Sequence, residues 1–419
     1  MRRMLMLISL FVCASNAWAG SASFKFFKRL SVAQLNHILQ AERAGFLPAS
    51  DRMRTYHWPH ATAARYAVDI YRVHYPSTVP EWNGRRTIAS GILAIPVRPA
   101  THKMPVLCYQ HGTVYGRYEV PSYCFSHTNP AGFSQYAGAY ETRLMVAQYA
   151  GQGYVIEAAD YFGMGDSRLP EAYTVKGAEQ AACMSLYRAA GHFLATKGIK
   201  QSHLFLAGWS AGGLATTAFL EKLQSSGVKV AATFTAASPN DPYVGLNTWL
   251  YHPRKHEAVW ENTLLGLTLF SYQHYYSAPG LAKSVLNAKY YRAFRDIYYR
   301  NYNSEVQLRR IFATLVQPQV PLLAYLKKPY ANPTYFADSL YGRLLARSQA
   351  YQQIFQSPVD MYYGSDDEAV PVALAKLAAH YQMAMGSHAI RLIPVPGGSH
   401  RGTFLTAVSR SLKWFNHHL

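Results

Sequence analysis

Short apolar runs closed by turn signals alternate with stretches of helical spacing from about Tyr66 to Pro239. Met104 to Tyr109 and Ser202 to Ala207 read as buried strands, as do Val359 to Gly364 and Ala389 to Val395 later in the chain. Strand and helix in alternation predict an α/β fold: a mostly parallel sheet covered by helices on both faces. The alternation breaks between Pro242 and Ser357, where apolar residues recur at helical spacing (Trp260, Leu264, Leu267, then Ile297, Tyr298) without a convincing strand. Residues 242–357 are therefore expected to be a helical insertion, or cap, between the two catalytic-domain segments 66–241 and 358–419. Nearer the start, Ser31-Val32-Ala33-Gln34 is a capping box, and Leu35, Ile38 and Leu39 mark one apolar face of the helix it opens. Residues 20–65 are accordingly expected to be a helical extension packed on the catalytic domain.

Chemistry enters at Gly208-Trp209-Ser210-Ala211-Gly212. A strand precedes this G-x-S-x-G and a helix starting near Gly213 follows it, the setting of a nucleophile elbow. Glycines there permit a strained turn that lifts the serine oxygen clear of the backbone, with a helix N-terminus aimed at it. If Ser210 is the nucleophile, an acid and then a histidine should follow along the chain. The strand Val359–Gly364 runs into Ser365-Asp366-Asp367-Glu368, and the strand Ala389–Val395 runs into Pro396-Gly397-Gly398-Ser399-His400. Both candidates fall just past the carboxyl ends of sheet strands, the rim where open α/β sheets gather ligand-binding residues.

His400 would take the Ser210 proton, and a carboxylate would fix the imidazole tautomer and stabilise its charged form. Asp366, Asp367 and Glu368, with Asp360 and the earlier Asp241, are the candidates for that carboxylate. Any of these could instead be a turn or helix-capping carboxylate, as most loop aspartates are. An acyl-transfer site also needs donors for the oxyanion, usually backbone N–H groups. Ala211, directly after the nucleophile, would supply one. The strand ending Tyr109-Gln110-His111-Gly112-Thr113 would supply the other from Thr113, with Gly112 allowing close approach and His111 bracing the loop.

From about Tyr66 to Leu419 the chain resembles the α/β-hydrolases. Four motifs stand in their order: Tyr109-Gln110-His111-Gly112-Thr113, Asp160-Tyr161-Phe162-Gly163-Met164-Gly165-Asp166-Ser167, the elbow, and the Asp367 and His400 loops. Asp367 lies three residues after Gly364 and four before Pro371, matching the family's G-x-x-D-x-x-V-P pattern, so the resemblance makes Asp367 the first choice of acid and Asp366 the next. The stretch Arg86 to Pro96 and the wording Q-H-G-T resemble the secretory lipase family. This resemblance implies a secreted serine esterase or lipase with a helical lid and no cofactor or metal, and it makes Asp160 a loop-shaping residue. Two rivals share the machinery, a prolyl-type peptidase and an acyltransferase. A third is a non-catalytic protein of the same fold.

The chain's first 19 residues read as an export signal: Arg2 and Arg3, an apolar run from Leu5 to Val12, and an A-x-A site at Ala17-Trp18-Ala19. The run is too short to span a bilayer. A periplasmic or secreted protein is expected after cleavage near Ala19, keeping Cys108, Cys124 and Cys183. A Cys108–Cys124 bond is one expectation and three separate buried thiols the safer one. No C-x-x-C or H-E-x-x-H spacing suggests a metal site.

The chain carries 41 Lys and Arg against 22 Asp and Glu, a formal charge of +19 that becomes +17 without Arg2 and Arg3. Such a charge favours anionic partners, here membrane lipid or an envelope polymer. There is no nucleic-acid module. Residues 242–357 hold 13 basic and 5 acidic residues, and they are dense in tyrosine. A small-molecule or lipid ester is the expected substrate.

Overall fold

The computed structural model describes residues 21–47, 59–98, 103–126, 140–302 and 304–419. The expected signal segment therefore lies outside the described residues. Among those described, nine strands form one sheet: β1 (Ser23–Leu30), β2 (Val68–Val79), β3 (Arg85–Pro96), β4 (Lys103–Gln110), β5 (Val155–Ala159), β6 (Lys200–Trp209), β7 (Ala232–Ala236), β8 (Val359–Gly364) and β9 (Ile390–Val395). Their spatial order is β1-β2-β3-β5-β4-β6-β7-β8-β9. β1, β2 and β3 are antiparallel, and β3 meets β5 antiparallel; every pair from β5 across to β9 is parallel. The chain leaves β4 for β5 on one side and returns to β6 on the other, so β4 marks the topological switch point.

Burial on both sides explains why the central strands read as apolar runs rather than alternating ones. Every residue of β5 and β7 is buried. Val106 and Cys108 of β4 face one core, shared with the helices Lys176–Thr196 and Ala211–Ser225. Leu107 and Tyr109 face the other, shared with the helices Tyr140–Tyr149 and His400–Asn416. The same alternation separates the thiols. Cys108 and Cys183 lie in the first core and Cys124 in the second, and all three are free, so the Cys108–Cys124 bond is not formed.

The N-terminal segment differs in part from the helical extension expected there. The capping box forms, with Ser31 and Gln34 each accepting the other's backbone N–H, and Leu35, Ile38 and Leu39 are buried. Ahead of it, however, Ser23–Leu30 is a strand that adds an edge to the sheet. Phe24 stacks on Phe193 at 4.2 Å, and Phe26, on the same face, meets Tyr71 at 5.7 Å while staying half exposed. The interleaved lysines and phenylalanines disguised this period-two pattern.

The insertion is helical, with Pro242–Tyr251, Leu264–Tyr275, Ala288–Tyr298, Glu305–Leu315 and Leu340–Arg347 its longer helices. Its described residues include one isolated β-bridge, Leu286–Leu326. Much of its tyrosine is packing material: Tyr272, Tyr275, Tyr290 and Tyr298 are buried. Several tie it to the loop after β5, where Tyr275 donates to Pro170 O and Tyr298 to Glu171 O, beside an Arg300–Glu171 ion pair at 2.8 Å.

Candidate active site

β6 ends at Trp209 and a helix starts at Ala211, leaving Ser210 as the single residue of the turn. Its backbone sits at φ 57°, ψ −131°, a conformation that costs a non-glycine residue about 1–3 kcal/mol. Neighbours enforce it: Ser210 N–H donates to Ala236 O on β7, and Ser210 O accepts from Gly213 N–H. Gly212 must lack a side chain, because a Cβ there would lie 2.1 Å from Gln110 O at the end of β4. The elbow is thus wedged against the switch-point strand, with the positive end of the helix Ala211–Ser225 beneath it.

Parallel pairing puts the ends of β4, β6, β8 and β9 on one rim. The loops after β8 and β9 are zipped together by Ser365 N–H to Val395 O, Asp366 N–H to Gly398 O and Gly397 N–H to Ser365 Oγ. Gly364 makes this possible, since a Cβ there would stand 2.1 Å from Gly398 O. His400 opens the helix His400–Asn416, and its Nδ1 lies 3.1 Å from both Asp367 carboxylate oxygens. Both side chains are buried. Asp367 Oδ1 also accepts the N–H groups of Ala369 and Val370, which fixes the carboxylate. Glu368 turns the other way to accept the His400 backbone N–H.

Burial pulls the His400 pKa down, but the charge and hydrogen bond of Asp367, helped by Glu368, carry it above its ordinary value. The rival acids are engaged elsewhere. Asp360 grips Arg391 with both oxygens, Asp241 caps the helix Pro242–Tyr251 through the N–H groups of Tyr243 and Val244, and Asp366 accepts from Ser365 Oγ. Trp209, directly before Ser210, joins the elbow to the histidine: its Nε1 donates to His400 O at 3.0 Å, and the two rings are 4.9 Å apart.

Thr113 and Ala211 line one small cavity together with His111, Tyr161, Glu171 and Tyr173. His111 stacks on Tyr161 at 4.4 Å, and burial lowers its pKa to about 4, so it braces the loop as a neutral ring. Thr113 Oγ1 meets Tyr173 Oη at 2.6 Å, and Gly112 N–H donates to Glu141 Oε1 at 2.7 Å. Asp160 shapes the adjoining loop by accepting from Ser90 Oγ, Ser122 Oγ and Ser122 N–H; burial raises its pKa to about 6. A second, apolar cavity shares Ala211 and Tyr173 and is walled by Leu214, Leu246, Trp249 and Leu345, so the insertion forms part of the pocket wall. Glu141, Tyr173 and Trp209 were not found by sequence reasoning. Only Trp209 carried a signal, as the variable residue of the G-x-S-x-G stretch.

No protein-family model matches the sequence, and no curated protein does. Solved structures do. A Legionella pneumophila protein described as a hydrolase superimposes with a TM-score of 0.77 at 20% identity, covering 94% of this chain and 97% of that one. The rice cell wall degrading esterase LipA of Xanthomonas oryzae gives 0.71 at 19%, covering 94% and 96%. Lipase A of Candida antarctica in its closed state gives 0.64 at 17%, covering 84% and 77%. At such identities the likeness speaks for the fold. With its parallel sheet reversing at β4, helices on both faces and a helical insertion ahead of β8, this chain has the α/β-hydrolase fold.

Proposed function

We propose that the protein is a serine hydrolase of carboxylic esters, built from two catalytic-domain segments, 66–241 and 358–419, with residues 242–357 as a lid. The observation that carries this reading is the pairing of a strained Ser210 at a strand–helix junction with a His400–Asp367 couple whose ring packs on the neighbouring Trp209. That strained backbone, held in place by β7 and the following helix, is what a strand-to-helix turn needs to lift the serine oxygen clear of the chain.

In the mechanism, His400 Nε2 accepts the Ser210 proton as the serine oxygen attacks the ester carbonyl. Asp367 holds the Nδ1 proton and offsets the charge of the imidazolium. The N–H groups of Thr113 and Ala211 receive the developing oxyanion, with the positive end of the helix Ala211–Ser225 adding to them. His400 then hands its proton to the departing alcohol oxygen, leaving an acyl-serine. A water molecule deprotonated by His400 cleaves it and restores the free hydroxyl. His111 takes no part in proton transfer, because its buried ring stays neutral and faces carbonyl oxygens. The neighbours' names, esterase and lipase, support an ester over other acyl compounds. No described helix is long and apolar enough to cross a membrane. We read residues 1–19 as a signal that sends the mature chain to the periplasm or beyond.

Fluorophosphonate labelling tests the reading. The probe should attach to Ser210 in the parent, and Ser210→Ala should lose both labelling and ester hydrolysis while keeping its melting transition. Labelling at another serine would overturn the assignment.

A further inference from the structure

Behind the Thr113 loop stands an acid that the mechanism above does not use. Glu141 lies in the first turn of the helix Tyr140–Tyr149, is 3% exposed, and accepts the Gly112 N–H through Oε1 at 2.7 Å. Its Oε2 makes no hydrogen bond of ordinary geometry and faces the Tyr109 hydroxyl, which is likewise unpartnered. A Cβ built at Gly112 would lie 3.4 Å from that Oε2 and 3.4 Å from Ser210 Cβ. Glu141 Oε2 and Ser210 therefore approach the same point beside Gly112, and Glu141 is not among the residues that line the small cavity.

The bond it makes settles which amides can serve an oxyanion. With its N–H donated backwards to Glu141, Gly112 cannot turn the same group to the pocket. The next amide along, that of Thr113, belongs to a residue that lines the pocket and is tied at its Oγ1 to Tyr173. Resting on the serine-hydrolase reading, we propose that Glu141 is the positioning residue of the oxyanion site: it anchors Gly112 from behind and so presents the Thr113 N–H to the ester oxygen.

The protonation state of Glu141 then matters to turnover. Burial raises its pKa to about 8; the Gly112 N–H, Tyr109 and Arg401 pull the other way, without cancelling the effect. The titratable and charged groups facing it are Tyr109 from β4, Tyr161 from the loop after β5 and Arg401 from the helix His400–Asn416. Both tyrosines are held well above their ordinary range by burial and stay neutral. On its own helix, Arg143 turns aside to pair with Glu42. Below about pH 8 the neutral acid accepts the Gly112 N–H through its carbonyl oxygen and adds no charge. Above it, a carboxylate sits behind the amides that must stabilise an oxyanion. Like charges a few ångströms apart in a partly dry site would slow turnover by roughly tenfold or more.

The test compares Glu141→Gln and Glu141→Leu with the parent, following kcat and KM from pH 6 to 10 on a soluble p-nitrophenyl ester, with fluorophosphonate labelling and thermal melting alongside. The parent should lose kcat as pH rises through about 8. Glu141→Gln keeps the acceptor without the charge; it should recover most of the turnover at pH 7 and hold it to higher pH. Glu141→Leu lacks the acceptor, so its kcat should fall about tenfold or more at every pH with KM little changed, because the lost help is felt only in the transition state. A Glu141→Gln profile that keeps the parent's alkaline fall, or a folded Glu141→Leu with parental kcat, overturns the role of Glu141 while labelled Ser210 leaves the enzyme reading intact. A folded parent that is not labelled at Ser210 overturns both.

Discussion

Arg254, in the insertion, donates from Nη1 to the main-chain oxygen of Asp367 at 2.7 Å while its remaining guanidinium nitrogens hold Glu257. Two further bonds reach the same loop: Ala258 N–H to Glu368 O, and Trp249 Nε1 to Ala369 O. The insertion is thus fastened to the segment that carries Asp367, the proposed triad acid. A shift of the lid would be felt at His400 through Asp367. Arg254→Ala should lower kcat by about tenfold, the worth of one charge-assisted hydrogen bond, with a smaller change in KM. Arg254→Lys should recover part of it. If Arg254→Ala lowered only the melting temperature, the contact would be structural and nothing more.

The choice of acid is open to a sharper test. Asp367→Asn should cost on the order of a thousandfold or more in kcat, since the amide leaves His400 in the wrong tautomer. Asp366→Asn should stay within a few-fold of the parent. Asp241→Asn should leave kcat alone, because Asn caps a helix about as well as Asp and the carboxylate is occupied by the N–H groups of Tyr243 and Val244 beside the Tyr351 hydroxyl. A reversal between Asp367 and Asp366 would move the triad acid by one residue.

The pH–rate profile carries the sign of the His400 shift. General-base catalysis needs the neutral ring, so kcat/KM should climb as pH rises through the free-enzyme pKa of His400. Asp367 and Glu368 hold that pKa above its ordinary value of 6.5, so half-maximal activity should be reached above pH 6.5. Removing the Asp367 charge lets burial dominate. The residual activity of Asp367→Asn should therefore have its acid limb displaced to lower pH. A limb that moved upward, or stayed fixed, would detach the profile from His400.

The parts of this site that the sequence made legible are those where backbone geometry dictates residue type. Gly212 and Gly364 are required by approaches no side chain survives, and strand, turn and helix can be read around Ser210 from periodicity alone. His400 was placed by its position after the last strand, and Asp367 by the G-x-x-D-x-x-V-P pattern of the family it resembles. What escaped reading depends on three-dimensional proximity. Glu141 meets Gly112 across 29 positions of chain, and Trp209 meets His400 across 191. Neither pairing leaves a local pattern. β1 escaped for another reason: as an edge strand it needs only one apolar face, and its lysines broke up the run that marks a central strand.

The insertion's charge has a specific address. The Leu286–Leu326 bridge, with Asn287 N–H to Tyr325 O and Lys327 N–H to Val285 O, draws two segments together. Lys283 and Lys289 flank the bridge on one segment and Lys327 and Lys328 follow it on the other, all four exposed, with Arg292 also exposed nearby in the same helix as Lys289. Arg292 and Arg295 both pair with Asp296, at 3.6 and 3.0 Å, which leaves the four lysines as the insertion's charge around the bridge. Exposed charges attract over roughly 10 Å at 0.1 M salt, and each lysine near an anionic surface is worth about 1 kcal/mol. If the lid meets an anionic lipid or envelope surface, hydrolysis of esters carried in anionic vesicles should weaken as salt rises, while a neutral soluble ester is cleaved at a nearly constant rate. Replacing the four lysines by glutamine should flatten the salt response and cut vesicle hydrolysis by more than tenfold at low salt, leaving the soluble ester untouched. Equal salt responses for the two substrates in the parent would reduce this charge to an aid to solubility.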